Sequence, residues 1–235
     1  MAGTSVTVCV RVADGQPVAD AVAAALVPFD MADDPEGRWE SWRIGTTGFF
    51  GPLPVRTGSE HDPRLLRVSQ PPESWSSGRC DGAPRGLLDF TRDRAAARYW
   101  AEAEWDEWYE VARHHPIGRP VGEFEFAERA TFAAQPVMQA YMQRHGLDPQ
   151  RMVWQHLSDP ITRYGYDRDD YVRRQVARAA PLFDLLRLDG VWLDYADFST
   201  GTFDAAAQDR YYLAADAYLD ELPADVYLVG VRIHS

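Results

Sequence analysis

The sequence predicts an α+β fold, a mixed or antiparallel sheet with the N- and C-terminal strands in one sheet, covered by several helices. Three observations predict it. Alternating apolar runs stand near both ends of the chain, at Val6, Val8, Val10 and Val12, and at Val226, Leu228 and the residues around Val231. Stretches of helical spacing, several of them long, lie between these runs. Strands and helices do not alternate strictly as strand–helix–strand, which sets aside a doubly wound parallel sheet.

Each element has its own signal. In Thr4–Val12 the valines alternate with Thr7, Cys9 and Arg11, the period of a strand, and Asp14-Gly15 breaks it. Pro17–Val27 is Ala-rich with helical spacing and opens on a proline, which suits the first turn. Asp30–Gly37 is an acidic turn. Trp39–Phe50 reads as a strand or hairpin with Gly45 and Gly48, and Arg64–Val68 as a short strand. Gln70–Gly86, rich in Pro, Ser and Gly, reads as a mobile loop or linker. Asp89 or Thr91 then caps a long helix to about His114. A helical stretch over 123–145 is restarted or kinked at Pro136 and stopped at Gly146. Residues 151–157 are ambiguous. Asp167 or Asp169 caps a helix toward Ala180. Apolar stretches 182–188 and 191–195 around Asp189-Gly190 predict a hairpin. Phe203–Leu222 is a helix ended by Pro223, and 225–233 a last strand. One domain spans 1–235.

Composition narrows the chemistry by exclusion. All 24 basic residues are arginine, and the chain has neither Lys nor Asn. Schiff-base and PLP chemistry need a lysine amine, and a P-loop needs its lysine on the phosphates. Without Asn there is no papain-like Cys-His-Asn set. The formal charge of −12 argues against a nucleic-acid partner. Cys9 and Cys80 make neither a disulfide scaffold nor a zinc motif. With no signal peptide or membrane span visible, the expected location is cytoplasmic. No cofactor is expected, and any catalysis would be acid–base chemistry without one.

Five groups stand out as candidate sites. Trp39, Trp42 and Arg43, beside Gly45 and Gly48, can stack on and clamp a flat or anionic ligand; the alternative is a tryptophan-anchored core. Tyr99, Trp100, Trp105, Trp108 and Tyr109 form an aromatic helix, a ligand platform or a buried face. Cys80 lies near Arg85, which suggests a lowered-pKa thiol or an inert one. His114, His115, His145 and His156 are scattered and lack metal-ligand spacing. Asp189, Asp194 and Asp197 can meet His234 if the hairpin and the last strand are neighbours, so that a carboxylate orients the imidazole as a general base. Otherwise they are turn residues and a frayed terminus.

Several segments resemble, in order, an uncharacterised protein family of bacteriophages and actinobacteria. They are Leu26-Val27-Pro28-Phe29-Asp30, then Trp39-Glu40-Ser41-Trp42-Arg43-Ile44-Gly45, then Pro84-Arg85-Gly86-Leu87-Leu88-Asp89, and Leu222-Pro223-Ala224-Asp225 leading to Val231-Arg232-Ile233-His234. The Gly-Arg-Trp that follows the first family glycine is missing here. The terminal Asp-Cys of the family is Arg232-Ile233, with His234 kept. The resemblance implies one domain and a phage-related origin, and it brings no established activity. Two functions remain open: a protein that binds or transforms an anionic or aromatic small molecule, such as a nucleotide or a specialised metabolite, using Arg43 or Arg85 and Trp39 or Trp42; or an acidic module that docks on a protein partner.

Overall fold

The computed structural model describes residues 3–33, 37–45, 53–68, 78–125, 128–147, 159–180, 184–195 and 205–234. Its contacts gather into two compact units, Met1–Asp93 with Ala177–Ser235, and Arg94–Val176.

The first unit is built on a six-stranded mixed sheet. Strand β1 (Gly3–Val10) is followed by helix α1 (Val18–Leu26), and then by β2 (Ser41–Ile44), β3 (Leu53–Pro54), β4 (Arg79–Cys80) and β5 (Gly82–Pro84). Farther along come β6 (Asp184–Leu186), β7 (Trp192–Leu193), helix α7 (Ala205–Glu221) and β8 (Tyr227–His234). The order is β2-β8-β1-β6-β7, with β5 also on β8, while β3 and β4 form a separate pair. The first and last strands are therefore neighbours, antiparallel from Gly3↔His234 to Val10↔Tyr227. β1 pairs parallel with β6, which makes the sheet mixed.

Side chains alternate across a strand, so each face has its own core. Val6, Val8 and Val10 of β1 meet Val229, Val231 and Ile233 of β8 beneath Val22 and Leu26 of α1. On the other face Cys9, Leu185 and Leu228 meet Tyr211, Ala215 and Leu219 of α7. The hairpin forms around Asp189-Gly190 as its sequence predicts, with Leu186 opposite Trp192 and Gly190 at φ +78°.

Two segments differ from expectation. β4 and β5 lie inside the stretch that reads as a loop. Gly82 is pressed so close to its neighbours that an added Cβ would stand 2.9 Å from Leu66 Cδ1 and 3.1 Å from Leu228 O. Close strand approach, not loop freedom, explains this glycine. Residues 64–68 supply one bridge, Leu66↔Gly82, and no strand. Of the strand or hairpin expected over Trp39–Phe50, Ser41–Ile44 is a strand paired with β8, and residues 46–50 lie outside the described residues.

The second unit is helical. It holds most of α2 (Thr91–Ala112), then α3 (Arg129–Ala133), α4 (Pro136–His145), α5 (Pro160–Tyr164) and α6 (Arg168–Ala177). The Asp89 carboxylate accepts the Thr91 N–H at the start of α2, and Asp167 accepts that of Asp170 on α6. Pro136 opens α4, and Gly146 closes it at φ +61°. Trp108, Val137, Met138 and Tyr171 form its core. The short helix α5 has no sequence signal assigned above. Asp159 caps it, with Oδ1 accepting from Ile161 N at 2.9 Å and Oδ2 from Val121 N at 2.8 Å. Among the described residues no helix is long and apolar enough to cross a membrane.

Candidate functional site

The alternation of β2 separates the first candidate group. Trp42 packs on the α1-side core, together with Trp39, and Trp39 Nε1 donates to Leu26 O at 3.0 Å. Arg43, the next residue, points to the opposite face and is exposed. One pocket cannot hold both Trp42 and Arg43. Arg85 is also committed. Its Nε donates to Leu219 O at 2.8 Å, its Nη2 reaches Asp220, and its guanidinium lies 5.4 Å from the Phe90 ring centre. It thereby holds the C-terminal turn of α7, where carbonyls lack helical donors. Gly48 lies outside the described residues.

The acidic group is placed differently from the arrangement that would make a general base. β7 and β8 are separated by β1 and β6, so the neighbourhood on which an Asp–His pair depends is not formed. Asp194 is bound by Arg38, with Nη2 to Oδ2 at 3.0 Å and Nη1 to Oδ1. That guanidinium lies over Trp192, 5.3 Å from the ring centre. Asp189 is a turn residue, accepting from Arg187 Nη2 at 2.6 Å and from Val191 N. Asp197 and His156 lie outside the described residues.

Asp184, a residue with no earlier role, is a carboxylate whose pKa is raised, whereas Glu60, Asp62, Asp89 and Asp170 are lowered. It opens β6 and accepts from Tyr195 N at 2.9 Å and from Trp192 Nε1 at 3.1 Å. Burial raises its pKa above the ordinary value; the two donors and Arg38 oppose that, and Asp194 adds to it. A lone carboxylate inside the apolar stretch 182–188 was its sequence signal. Both oxygens are occupied in pinning the hairpin.

The thiols are buried and inert. Burial pushes both Cys9 and Cys80 up to about 12, the reverse of an activated nucleophile. Among the described residues no group of three or more His, Cys, Asp or Glu is placed to hold a metal ion. In the helical unit, His115 lines a groove of about 500 Å³ with Pro136, Gln139 and Met142. Trp105 and Trp108 of the aromatic helix are buried, whereas Tyr99 and Trp100 are 66% and 64% exposed, edge to face at 5.3 Å.

What the sheet does bring together is Arg43 on β2 with Arg232 and His234, both on β8. Register pairs Arg43 with Arg232 and Ser41 with His234 on one side of β8, and Ser5 with Arg232 on the other. Residues directly opposite in an antiparallel pair share a face, so Arg43, Arg232 and Ser5 form one row. Ser41, His234 and Gly3 form the next. Gly45 N donates to Gly230 O at 2.9 Å, which sets the phase of the ladder. Arg43 and Arg232 are then a hydrogen-bonded pair with Cα atoms about 5.5 Å apart, and Ser5 and Arg232 a closer pair at about 4.5 Å.

This row sets two like charges opposite one another, with the buried Asp81 in the flanking row beside Gly230. Like charges directly opposite one another destabilise a sheet. Neither arginine has an ion-pair or hydrogen-bond partner for its side chain among the described residues, and Arg232 Nε is buried with no acceptor. Elsewhere Arg38, Arg79, Arg163 and Arg178 all reach a carboxylate. Sequence reasoning singled out Arg43 and His234 but not Arg232, because only the register shows which strands meet.

Comparison with known protein families, with curated proteins and with solved structures returned no match.

Proposed function

We propose that this protein binds an anionic small molecule on the face of its sheet, with Arg43 and Arg232 as the recognising cations and Ser5, Ser41 and His234 beside them. One observation carries the reading: two arginines stand directly opposite one another on adjacent strands, neither with an ion-pair partner for its side chain among the described residues, in a chain of formal charge −12. A buried donor left without an acceptor costs about 1–3 kcal/mol, more when charged, and an oxyanion against Arg232 Nε supplies that acceptor. The aromatic half of the expectation loses its support, because Trp39 and Trp42 serve the core on the other face. Arg38 and Arg85 are engaged within the fold.

The test is thermal unfolding at constant ionic strength in a panel of anions: phosphate, sulfate, acetate and a nucleoside monophosphate. At least one should raise the Tm of the wild type and leave that of Arg232→Gln unchanged. Equal response of both proteins to every anion would overturn the assignment.

A second reading, docking of a protein partner, is favoured by the exposed Tyr99–Trp100 pair on α2. Exposed aromatic pairs are common anchors of interfaces. Its test is capture of a partner by the wild type that is lost in Trp100→Ser.

A further inference from the structure

Resting on the reading that the Tyr99–Trp100 pair docks a protein, we infer that the partner is a second copy of this chain. The two α2 helices lie antiparallel about a two-fold axis level with Ala101.

The solvent-facing side of α2 carries a seam. Its buried side holds Ala101, Trp105, Trp108 and Ala112. A helix turns by about 100° per residue, which places Arg92, Ala96, Tyr99, Ala103, Asp106 and Glu110 on the opposite side. All six are exposed. Their intervals are four, three, four, three and four residues, the spacing by which one helix packs lengthwise on another. A helix side that meets only water has no need of that spacing. Nor does it need a tyrosine and a tryptophan set among alanines at its middle, where exposed apolar surface marks an interaction site.

The seam is complementary to itself when reversed. An antiparallel pair centred on residue 101 sets Tyr99 of one copy against Ala103 of the other, a large side chain against a small one. It sets Arg92 against Glu110, and the two-fold axis repeats each contact. Trp100 comes beside its own symmetry mate next to the axis. A parallel pair instead sets Arg92 against Arg92 and Tyr99 against Tyr99.

Other carboxylates at the C-terminal end of the seam are held within the chain, Asp106 by Arg168 at 3.0 Å and Glu107 by Arg144 at 3.8 Å. Glu110 gives Oε2 to Arg113 at 2.8 Å and keeps Oε1 for Arg92 of the second copy. From Arg92 to Glu110 the helix spans about 27 Å. A contact confined to that length lies at the low end of interface sizes, so the dimer is weak and reversible.

The test is sedimentation of the full chain over a series from about 1 μM to about 1 mM, the range of weak affinities. The wild type should pass from monomer to dimer. Trp100→Ser should weaken association by about ten-fold or more. Arg92→Glu and Glu110→Arg, both at exposed positions, should each weaken self-association by about the same factor. An equimolar mixture of these two variants should recover association to within about three-fold of the wild type, because each altered charge then faces its opposite. That recovery also shows that both variants are folded. Single variants that associate as the wild type does, or a mixture that fails to recover, overturn the inference. A wild type that stays monomeric overturns it as well. The docking reading then stands if Trp100→Ser loses capture of a different protein, and falls if capture is unchanged.

Discussion

On β1 the residues facing α1 are Val6, Val8 and Val10, and those facing the other way are Ser5, Thr7 and Cys9. β8 repeats the contrast, with Val229, Val231 and Ile233 on one side and Leu228, Gly230, Arg232 and His234 on the other. β2 repeats it again with Trp42 and Ile44 against Ser41 and Arg43. The α1 side is a core along its whole length. The other side is a core around Cys9, Leu185 and Leu228, packed by α7 together with Cys80, Leu88 and Phe90, and its residues turn polar toward Gly3 and His234. The same strands thus carry an apolar layer on one face and, on part of the other, buried polar positions such as Ser5 and Thr7. A buried position must be apolar or fully partnered. The polar rows meet that demand with small residues, Ser5, Thr7, Gly45 and Gly230, and leave Arg43 and Ser41 exposed at the edge.

Four substitutions break or sharpen this contrast. Val8→Asp places an unpaired charge in the α1-side core, where Val8 is fully buried. Its cost should exceed a typical stability of about 5–15 kcal/mol or consume most of it, so the expected product is unfolded or insoluble, as circular dichroism or yield would show. Leu219→Ala on α7 leaves a cavity in the opposite core and should cost about 2–5 kcal/mol in urea unfolding.

Asp184→Asn comes next, because an amide cannot accept from both Tyr195 N and Trp192 Nε1 with its two polar ends. The expected loss is about 1–2 kcal/mol at neutral pH. The pH dependence gives a second readout. The folded protein holds the Asp184 proton more tightly than the unfolded chain, so its contribution is full below the ordinary value of 3.8 and is lost as pH rises through the raised folded pKa. That segment of falling stability should vanish in the variant. The smallest effect belongs to Arg43→Gln, which relieves cross-strand repulsion. It should stabilise the ligand-free protein by less than about 1 kcal/mol, seen as a small upward shift in Tm.

The fold was legible where a period survives burial. β1, β8 and α1 read directly, and Asp189-Gly190 announced its hairpin. β5 was hidden because Gly82, Ala83 and Pro84 carry no strand propensity; its strand character comes from pairing with β8. α5 was hidden because five residues give no periodicity and its stability rests on the Asp159 cap. The site was half legible. Arg43 and His234 drew attention by residue type, yet alternation along β2 already placed Trp42 and Arg43 on opposite faces. The pairing of Asp194 with Arg38, and of Arg43 with Arg232, depends on strand order and register, which no local pattern encodes.

The position of β8 has a consequence for how the molecule comes into being. This strand touches β1, β2 and β5 at once, yet it is made more than two hundred residues after β1. At about 5–20 residues per second, the ribosome leaves the valine-rich first strand without its antiparallel neighbour for at least ten seconds. An unpaired apolar strand is a template for aggregation, and pairing so remote in sequence is slow. During its synthesis the nascent chain therefore depends on its acidic charge, or on a chaperone, to keep β1 available until the strand that completes its sheet has emerged.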